Sequence, residues 1–328
     1  MNHIKSSLAI GLFMAIVLFS CANTQNKEKE EDTPLTVEEK DPFFKISLAQ
    51  WSLHKAFGNK ELNPFDFAQK ASEMGFEAIE YVSFIYQPYL AIGNNPEVAM
   101  QSLLDTLKAK SETYGVKNVL IMVDREGPLA ISDENKRNQS VENHKKWIDA
   151  AAFLGCHSIR VNLNGSTKAD EWVPNSIDAL KKLSAYGQTK NINVVVENHG
   201  GLSSNAKLLT KVISGVGMSN CGTLPDFGNF CIKQKKGVPI AEACVEEYDK
   251  YKGTQELMEY AKAVSAKSNV FDENGNEPNI NYVKMLQIVK DAGYTGYIGI
   301  EYEGSGLSEI EGIKATRKLM LKVAKQLK

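Results

Sequence analysis

Val194-Val195-Val196-Glu197-Asn198-His199-Gly200-Gly201 is the stretch of sequence that indicates the fold most directly. Three consecutive β-branched residues are typical of a strand buried on both faces, as strands of a parallel sheet are. A carboxylate, an amide and an imidazole follow at once, and two glycines come next. In a (β/α)₈ barrel the catalytic residues lie at the carboxyl ends of such strands. A solvated strand end is the alternative, because loops after strands are commonly polar.

A recurring pattern extends this interpretation along the chain. An amphipathic segment ends near a glycine and an apolar strand follows, at Gly75, Gly115, Gly155 and Gly293. Glycine ends helices in the left-handed conformation without steric cost. Strands that alternate with helices indicate right-handed βαβ units and a parallel sheet.

Eight strands are predicted from this pattern. They are Lys45–Trp51, Glu77–Val82, Asn118–Val123, Ser158–Leu163, Ile192–Glu197, Cys221–Asp226, Ala263–Lys267 and Tyr297–Tyr302. No Gly/Ser linker interrupts the run, so we expect an α/β fold, a single (β/α)₈ TIM barrel over residues 43–328. The main alternative is a doubly wound open sheet, but no G-x-G-x-x-G follows the first strand.

Composition agrees with a large soluble domain. Of the 328 residues, 43% are hydrophobic and 24% are charged, which supplies enough apolar material for an extensive core. The formal net charge of -2 gives no basic footprint for nucleic acid, so we expect no nucleic-acid partner.

The N-terminus has the features of a targeting segment. Leu8 to Phe19 is apolar but too short to span a bilayer, so residues 1–20 are predicted to be a signal peptide. Leu18-Phe19-Ser20-Cys21 resembles the bacterial lipobox, in which the Cys is lipidated and becomes the mature N-terminus. Residues 21–42 are polar and charged and predict a flexible tether. We therefore expect a lipoprotein held in the cell envelope, periplasmic or at the outer-membrane surface, by lipid on Cys21; an ordinary secretory signal is the alternative.

Side chains at the carboxyl ends of the eight strands converge on one mouth of a barrel. Glu197, Asp226 and Glu301 each end an apolar run, and three carboxylates together repel one another in a low dielectric. A divalent cation would compensate them; oxygen ligands suit Mn²⁺ or Mg²⁺, and an added nitrogen would admit Zn²⁺ or Co²⁺. Pairing with Lys and Arg at a solvated rim is the alternative. The other polar or aromatic residues predicted at this mouth are Trp51, His54, Glu80, Asp124, Arg160, Asn162, His199, Asn229, Lys267 and Glu303.

The order strand-Glu-x-His, strand-Asp-x-x-(His/Asn), strand-Glu resembles the xylose-isomerase-like sugar phosphate isomerase/epimerase superfamily. The resemblance extends from Ile46-Ser47-Leu48-Ala49-Gln50-Trp51 to the last helix. It implies that Glu197, Asp226 and Glu301 hold one divalent metal, with Mn²⁺ favoured and Mg²⁺, Zn²⁺ or Co²⁺ as alternatives. The family often has His-x-Lys on the seventh strand, where this chain has Ser265 and Lys267. Serine is a poor ligand, so water, substrate or His199 would take the fourth position, or the metal would be weakly held.

The activity implied by the resemblance is sugar isomerisation or epimerisation through proton abstraction beside a carbonyl. Glu197 and Glu301 would transfer the proton, and His199 would shuttle one or bind a hydroxyl. Residues expected to contact the sugar are Trp51, His54, Arg160, Asn229 and Lys267, for which salt bridges, capping or rim packing are the alternatives.

The same residues are compatible with other functions. Enolisation beside a keto group could also expel a leaving group, which makes a lyase or hydrolase of keto-glycosides the second candidate. A non-catalytic sugar-binding lipoprotein agrees with Ser265 but not with three retained carboxylates. An apurinic-site endonuclease would need several His ligands, and the chain has five His in all. The segment Phe227 to Gly253 is predicted to be a long loop after the sixth strand, which would form a lid or a contact with a second copy of the chain, and Cys231 and Cys244 within it are candidates for a disulfide.

Overall fold

The computed structural model describes residues 41–92, 95–235, 237 and 243–327. The predicted signal peptide, Cys21 and the predicted tether up to residue 40 lie outside the described residues. The part of the chain from Asp41 onward forms one compact unit.

Eight parallel strands form the barrel, which confirms the predicted fold. The barrel strands are β1 Lys45–Ala49, β2 Ala78–Val82, β3 Lys117–Val123, β4 Ser158–Val161, β5 Asn193–Glu197, β6 Cys221–Leu224, β9 Val264–Ser268 and β10 Tyr297–Tyr302. Their order around the sheet is β6-β5-β4-β3-β2-β1-β10-β9. Isolated bridges from Thr223 to Ala261 and from Asp226 to Ser265 connect the β6 edge with the β9 edge.

Helices surround the barrel and connect its strands. They are α1 His54–Gly58, α2 Phe67–Glu73, α3 Gln87–Leu90, α4 Pro96–Thr113, α5 Glu134–Leu154, α6 Ala169–Thr189, α7 Ala206–Val216, α8 Lys250–Met258, α9 Tyr282–Asp291 and α10 Glu309–Gln326. Capping residues fix several of the boundaries: Asn95 accepts hydrogen bonds from the first turn of α4, and Ser308 and Glu311 form a capping box on α10. Gly155 ends α5 with φ of 78°, as its position before β4 predicts.

Alternation along the strands divides the core into two layers. Val194 and Val196 of β5 face the helices in the larger outer cluster, while Val195 points into the barrel. The interior layer is built from small and medium side chains, including Ala49, Ala78 and Ala263. Polar side chains lie among and above them inside the barrel, and they form the site described below.

The segment from Phe227 to Gly253, which was predicted to be a loop, contains regular structure. β7 (Cys231–Gln234) pairs antiparallel with β8 (Cys244–Glu247), and a disulfide joins Cys231 to Cys244. α8 begins directly afterwards at Lys250. The other two cysteines that the structure describes, Cys156 and Cys221, are free and buried, as small apolar side chains would be.

Within the described residues, no helix is long and apolar enough to cross a membrane.

Candidate metal centre and active site

Three carboxylates from three separate strand ends meet inside the mouth of the barrel. Glu197 is the last residue of β5, Asp226 follows the end of β6 at Leu224, and Glu301 lies in β10. Each offers an oxygen within 4.8 Å of the others, and their exposed fractions are 3%, 0% and 4%. The sequence therefore predicted the convergence of these acids correctly, because the carboxyl ends of barrel strands share one face.

Both oxygens of Glu197 are held by neighbouring side chains. The Asn229 amide donates to Oε1 at 3.0 Å, and the Arg160 Nε lies 2.9 Å from Oε2. For Arg160 and Asn229 the sequence predicted a substrate contact, with a salt bridge or a capping role as the alternative; in this structure both hold a carboxylate of the centre. A buried carboxylate needs such partners, since burying an unpaired charge is costly.

Asp226 is fixed by the turn that follows it. The backbone N–H groups of Gly228 and Asn229 donate to Oδ1 at 2.8 and 2.9 Å, and Ser265 Oγ donates to Oδ2 at 2.6 Å. Asn198 clamps this turn: it accepts from the N–H of Asp226 and donates to the carbonyls of Asp226 and Asn229. Asn198 is fully buried and was not among the predicted site residues, although it lies between two of them.

Lys267 is the cation closest to Glu301. Its Nζ lies 3.0 Å from Glu301 Oε2, 3.1 Å from Glu303 Oε1 and 3.8 Å from Asp226 Oδ2. A Cβ at Gly228 would lie 3.1 Å from the Lys267 side chain, so the glycine leaves room for the lysine stem. Lys267, for which a substrate contact and a structural salt bridge were both open, is an internal counter-ion of the carboxylates in this structure.

The positive charges of Arg160 and Lys267 do not fully compensate the three buried carboxylates. Burial raises the pKa of Glu197 and of Asp226 to about 7 in each case. Burial acts in the same direction on Glu301, but Lys267 holds the pKa of that carboxyl below its usual range. Buried carboxylates that repel one another while offering converging oxygens are a donor set that fits a divalent cation.

A fourth acid, Glu80, lies deeper in the barrel. Ser47 Oγ donates to its Oε1 at 2.6 Å, and the side chain is 2% exposed. Burial raises the pKa of Glu80 to about 7. A Cβ at Gly299 would lie 2.6 Å from Oε1, so the glycine on β10 makes the space that Glu80 occupies.

A polar cluster on β3 and β4 borders Glu197. Asp124 Oδ1 accepts from Arg160 Nη1 at 2.9 Å and from Asn162 Nδ2 at 2.8 Å. Burial acts to raise the pKa of Asp124, but the adjacent Arg160 guanidinium lowers it below its usual range. Arg160 therefore links Asp124 to Glu197 through one guanidinium.

The side of the mouth formed by β1 and β2 is aromatic. The Trp51 and His54 rings stack with centroids 4.7 Å apart, and Phe84 meets Trp51 edge-on at 5.6 Å. The Arg125 guanidinium lies 4.0 Å above the Phe84 ring. Phe84 lies in a short 3₁₀ helix, Ser83–Tyr86, and Arg125 lies in the loop after β3. Neither was predicted from the sequence, because the strand pattern does not give the course of the chain beyond the strand ends.

His199 lies outside the group of converging carboxylates. The residue is exposed, and its backbone N–H donates to Ser203 Oγ. Desolvation of the imidazole by the surrounding protein lowers its pKa, and the positive charges of Arg160 and Lys267 lower the pKa further. The ring is therefore a neutral donor or acceptor at the edge of the mouth.

Comparison with known proteins identifies relatives of this architecture. A family model described as xylose isomerase-like TIM barrel matches residues 68–323. A 3'-dehydrocarminate deglycosidase alpha subunit from Microbacterium sp. is 44% identical over 48 residues, which are 15% of this chain and 14% of that protein.

Among solved structures, the IolI protein with a zinc atom has a TM-score of 0.62 at 14% identity and covers 87% of this chain and 99% of its own. A D-tagatose 3-epimerase-like protein has a TM-score of 0.59 at 17% identity, with coverages of 86% and 99%. The 3-keto-D-glucoside 4-epimerase YcjR of E. coli has a TM-score of 0.58 at 14% identity, and the match covers 78% of this chain and 94% of that one. At these identities the likeness concerns the fold.

Proposed function

The chain belongs to the xylose isomerase-like TIM barrel family, and on that basis we propose that it is a divalent-metal-dependent sugar isomerase or epimerase. The substrate class is a small sugar or sugar derivative with a carbonyl group. Epimerases among the solved structures of the same fold support the reaction class.

One observation carries the proposal: Glu197, Asp226 and Glu301 bring carboxylate oxygens within 4.8 Å of one another inside the mouth. A bound divalent cation supplies Lewis-acid polarisation of a substrate carbonyl. Glu197, Asp226 and Glu301 are the residues that would hold it.

The same residues supply proton transfer. Glu197 on β5 and Glu301 on β10 approach the centre from strands separated by β6 and β9, so they reach a bound sugar from different sides. One carboxylate removes the proton beside the carbonyl and the other returns a proton, which is general acid–base catalysis by positioned side chains. His199, at the edge of the mouth, contacts a hydroxyl group of the bound sugar, and the sugar ring stacks on the Trp51 side chain.

The test is solvent deuterium incorporation. The purified protein with Mn²⁺ is incubated in D₂O with D-fructose, D-tagatose, D-psicose and a 3-keto-glucoside, and NMR follows exchange at the carbon beside the carbonyl. We expect exchange with the wild type and a loss of at least about 100-fold in the Glu197→Gln and Glu301→Gln variants, the lower end of what a positioned acid or base contributes. Exchange that is equal in wild type and variants would contradict the assigned roles.

A second candidate is elimination from a keto-glycoside, in which the same deprotonation expels the group two carbons away from the carbonyl. The 48-residue match to a deglycosidase subunit whose name specifies a 3'-dehydro compound favours it. The two reactions differ in their products, because elimination releases an aglycone and epimerisation does not. The 3-keto-glucoside in the assay above therefore distinguishes them.

We also propose that the protein acts in the cell envelope, anchored by lipid on Cys21. The apolar run Leu8 to Phe19 followed by Leu18-Phe19-Ser20-Cys21 supports this location. The hairpin β7–β8 is the candidate contact for a second copy of the chain, since all four residues of β8 are exposed.

A further inference from the structure

Ser265 on β9 lies beside the acids of the centre. Its backbone pairs with Asp226 on one side and with Gly299 of β10 on the other, so its side chain points into the barrel between two of the three acids. The hydroxyl donates to Asp226 Oδ2 at 2.6 Å and lies 3.3 Å from Glu301 Oε2. The residue is only 4% exposed.

The remaining donors around the centre are oxygens. In the part of the chain that the structure describes, the converging group contains three carboxylates and neither His nor Cys. The nearest side-chain nitrogens belong to Arg160, Asn229 and Lys267, whose N–H groups are donors and have no lone pair for a metal. His199, which has such a lone pair, is exposed and lies outside this group.

We infer that Ser265 makes this an all-oxygen centre, suited to Mn²⁺ or Mg²⁺ with water completing the shell, and that it limits the preference for Zn²⁺ by withholding a nitrogen donor. The inference rests on the proposed function, because it presupposes that the three acids hold a metal. Carboxylate and water ligands suit Mg²⁺ and Mn²⁺, whereas imidazole suits Zn²⁺ and other late metals. The serine hydroxyl keeps Asp226 in place and leaves one coordination position to water or to a substrate oxygen.

The experiment compares wild type, Ser265→His and Ser265→Asn by isothermal titration with Mn²⁺ and with Zn²⁺ alone. Histidine adds a nitrogen ligand, and asparagine is a control of similar size whose amide nitrogen does not bind metals. We expect the ratio of Zn²⁺ to Mn²⁺ affinity to rise at least about tenfold in Ser265→His, the scale on which changes around a metal alter its affinity. In Ser265→Asn the ratio should stay within about threefold of wild type, well below that scale. An unchanged ratio in a folded Ser265→His variant, or an equal rise in both variants, would overturn the inference.

Pulsed electron paramagnetic resonance of the Mn²⁺-loaded wild type tests the same inference without a substitution. An all-oxygen shell predicts no coupling from a directly bound ¹⁴N nucleus, and a coupling typical of imidazole would overturn it by showing that a histidine such as His199 joins the shell. The two proposals fail in different ways. A wild-type protein that binds neither metal contradicts the proposed function, whereas metal binding with a nitrogen ligand contradicts only the role of Ser265.

Discussion

Glu80 gives a test at the scale of a single residue. Its raised pKa of about 7 means that the folded protein binds this proton more tightly than the unfolded chain, whose carboxyl has a pKa near 4.5. The stability it contributes is complete below pH 4.5 and is lost as pH rises through 7. The loss is on the order of 3 kcal/mol, because one pKa unit corresponds to 1.36 kcal/mol.

Glu80→Gln removes this titration while its amide oxygen can still accept from Ser47. We expect the metal-free variant to be more stable than wild type at pH 9 by up to about 3 kcal/mol, with little difference at pH 4.5. Denaturant unfolding at the two pH values measures it. Glu73→Gln, at an exposed position on α2, is the control for loss of one negative charge. A stability difference that is the same at both pH values would contradict the argument.

The residue scale also shows what the sequence can predict about the site. Glu197, Asp226 and Glu301 were predictable because each follows a clear apolar run and barrel strands end on one face. For Arg160 and Lys267 the sequence left a substrate contact and a structural salt bridge both open, because it does not show how deeply the neighbouring carboxylates are buried. Asn198 was missed because its hydrogen bonds go to backbone groups of the turn at residues 226–229. The alternation of apolar and polar residues in the sequence does not predict the conformation of such a turn.

At the scale of elements, strands with strong patterns were predicted within two residues of their ends. β6 ends at Leu224, earlier than predicted, where Pro225 follows and has no N–H to continue the ladder. The hairpin β7–β8 was missed for a different reason. Val245 is 57% exposed and β8 is exposed along its whole length, so this strand has no buried face to produce an apolar alternation.

The disulfide in this hairpin leads to an element-scale prediction. Cys231 and Cys244 are separated by 13 positions, and a cross-link closing a loop of about that length stabilises by up to about 3 kcal/mol. We expect the double variant Cys231→Ser with Cys244→Ser to lose amide-exchange protection in β7 and β8 while β1 to β6 keep theirs. Hydrogen exchange with mass spectrometry measures both. Equal loss of protection throughout the barrel would contradict a local role for the disulfide.

At the scale of the whole molecule, the fold follows from repetition. Each helix–Gly–strand unit adds one more parallel strand through a right-handed crossover. Repetition alone does not distinguish an open sheet of eight strands from a closed barrel, and here isolated bridges from Thr223 to Ala261 and from Asp226 to Ser265 close the sheet.

The location of the molecule is a second whole-molecule prediction. If lipid on Cys21 anchors the protein, Cys21→Ser should move it from the membrane fraction to the soluble fraction of the cell envelope without changing the activity of the barrel. Detergent phase partitioning and immunoblotting measure this. A Cys21→Ser protein that stays in the membrane fraction would contradict anchoring through this residue.

The central claim is that acids from three strands share one divalent cation. Anomalous diffraction from crystals soaked in Mn²⁺, recorded at the manganese edge, tests it most directly. We predict one peak in the mouth, about 2 Å from an oxygen of each of Glu197, Asp226 and Glu301. The absence of a peak there, or a peak that only one of the three carboxylates contacts, would contradict the account.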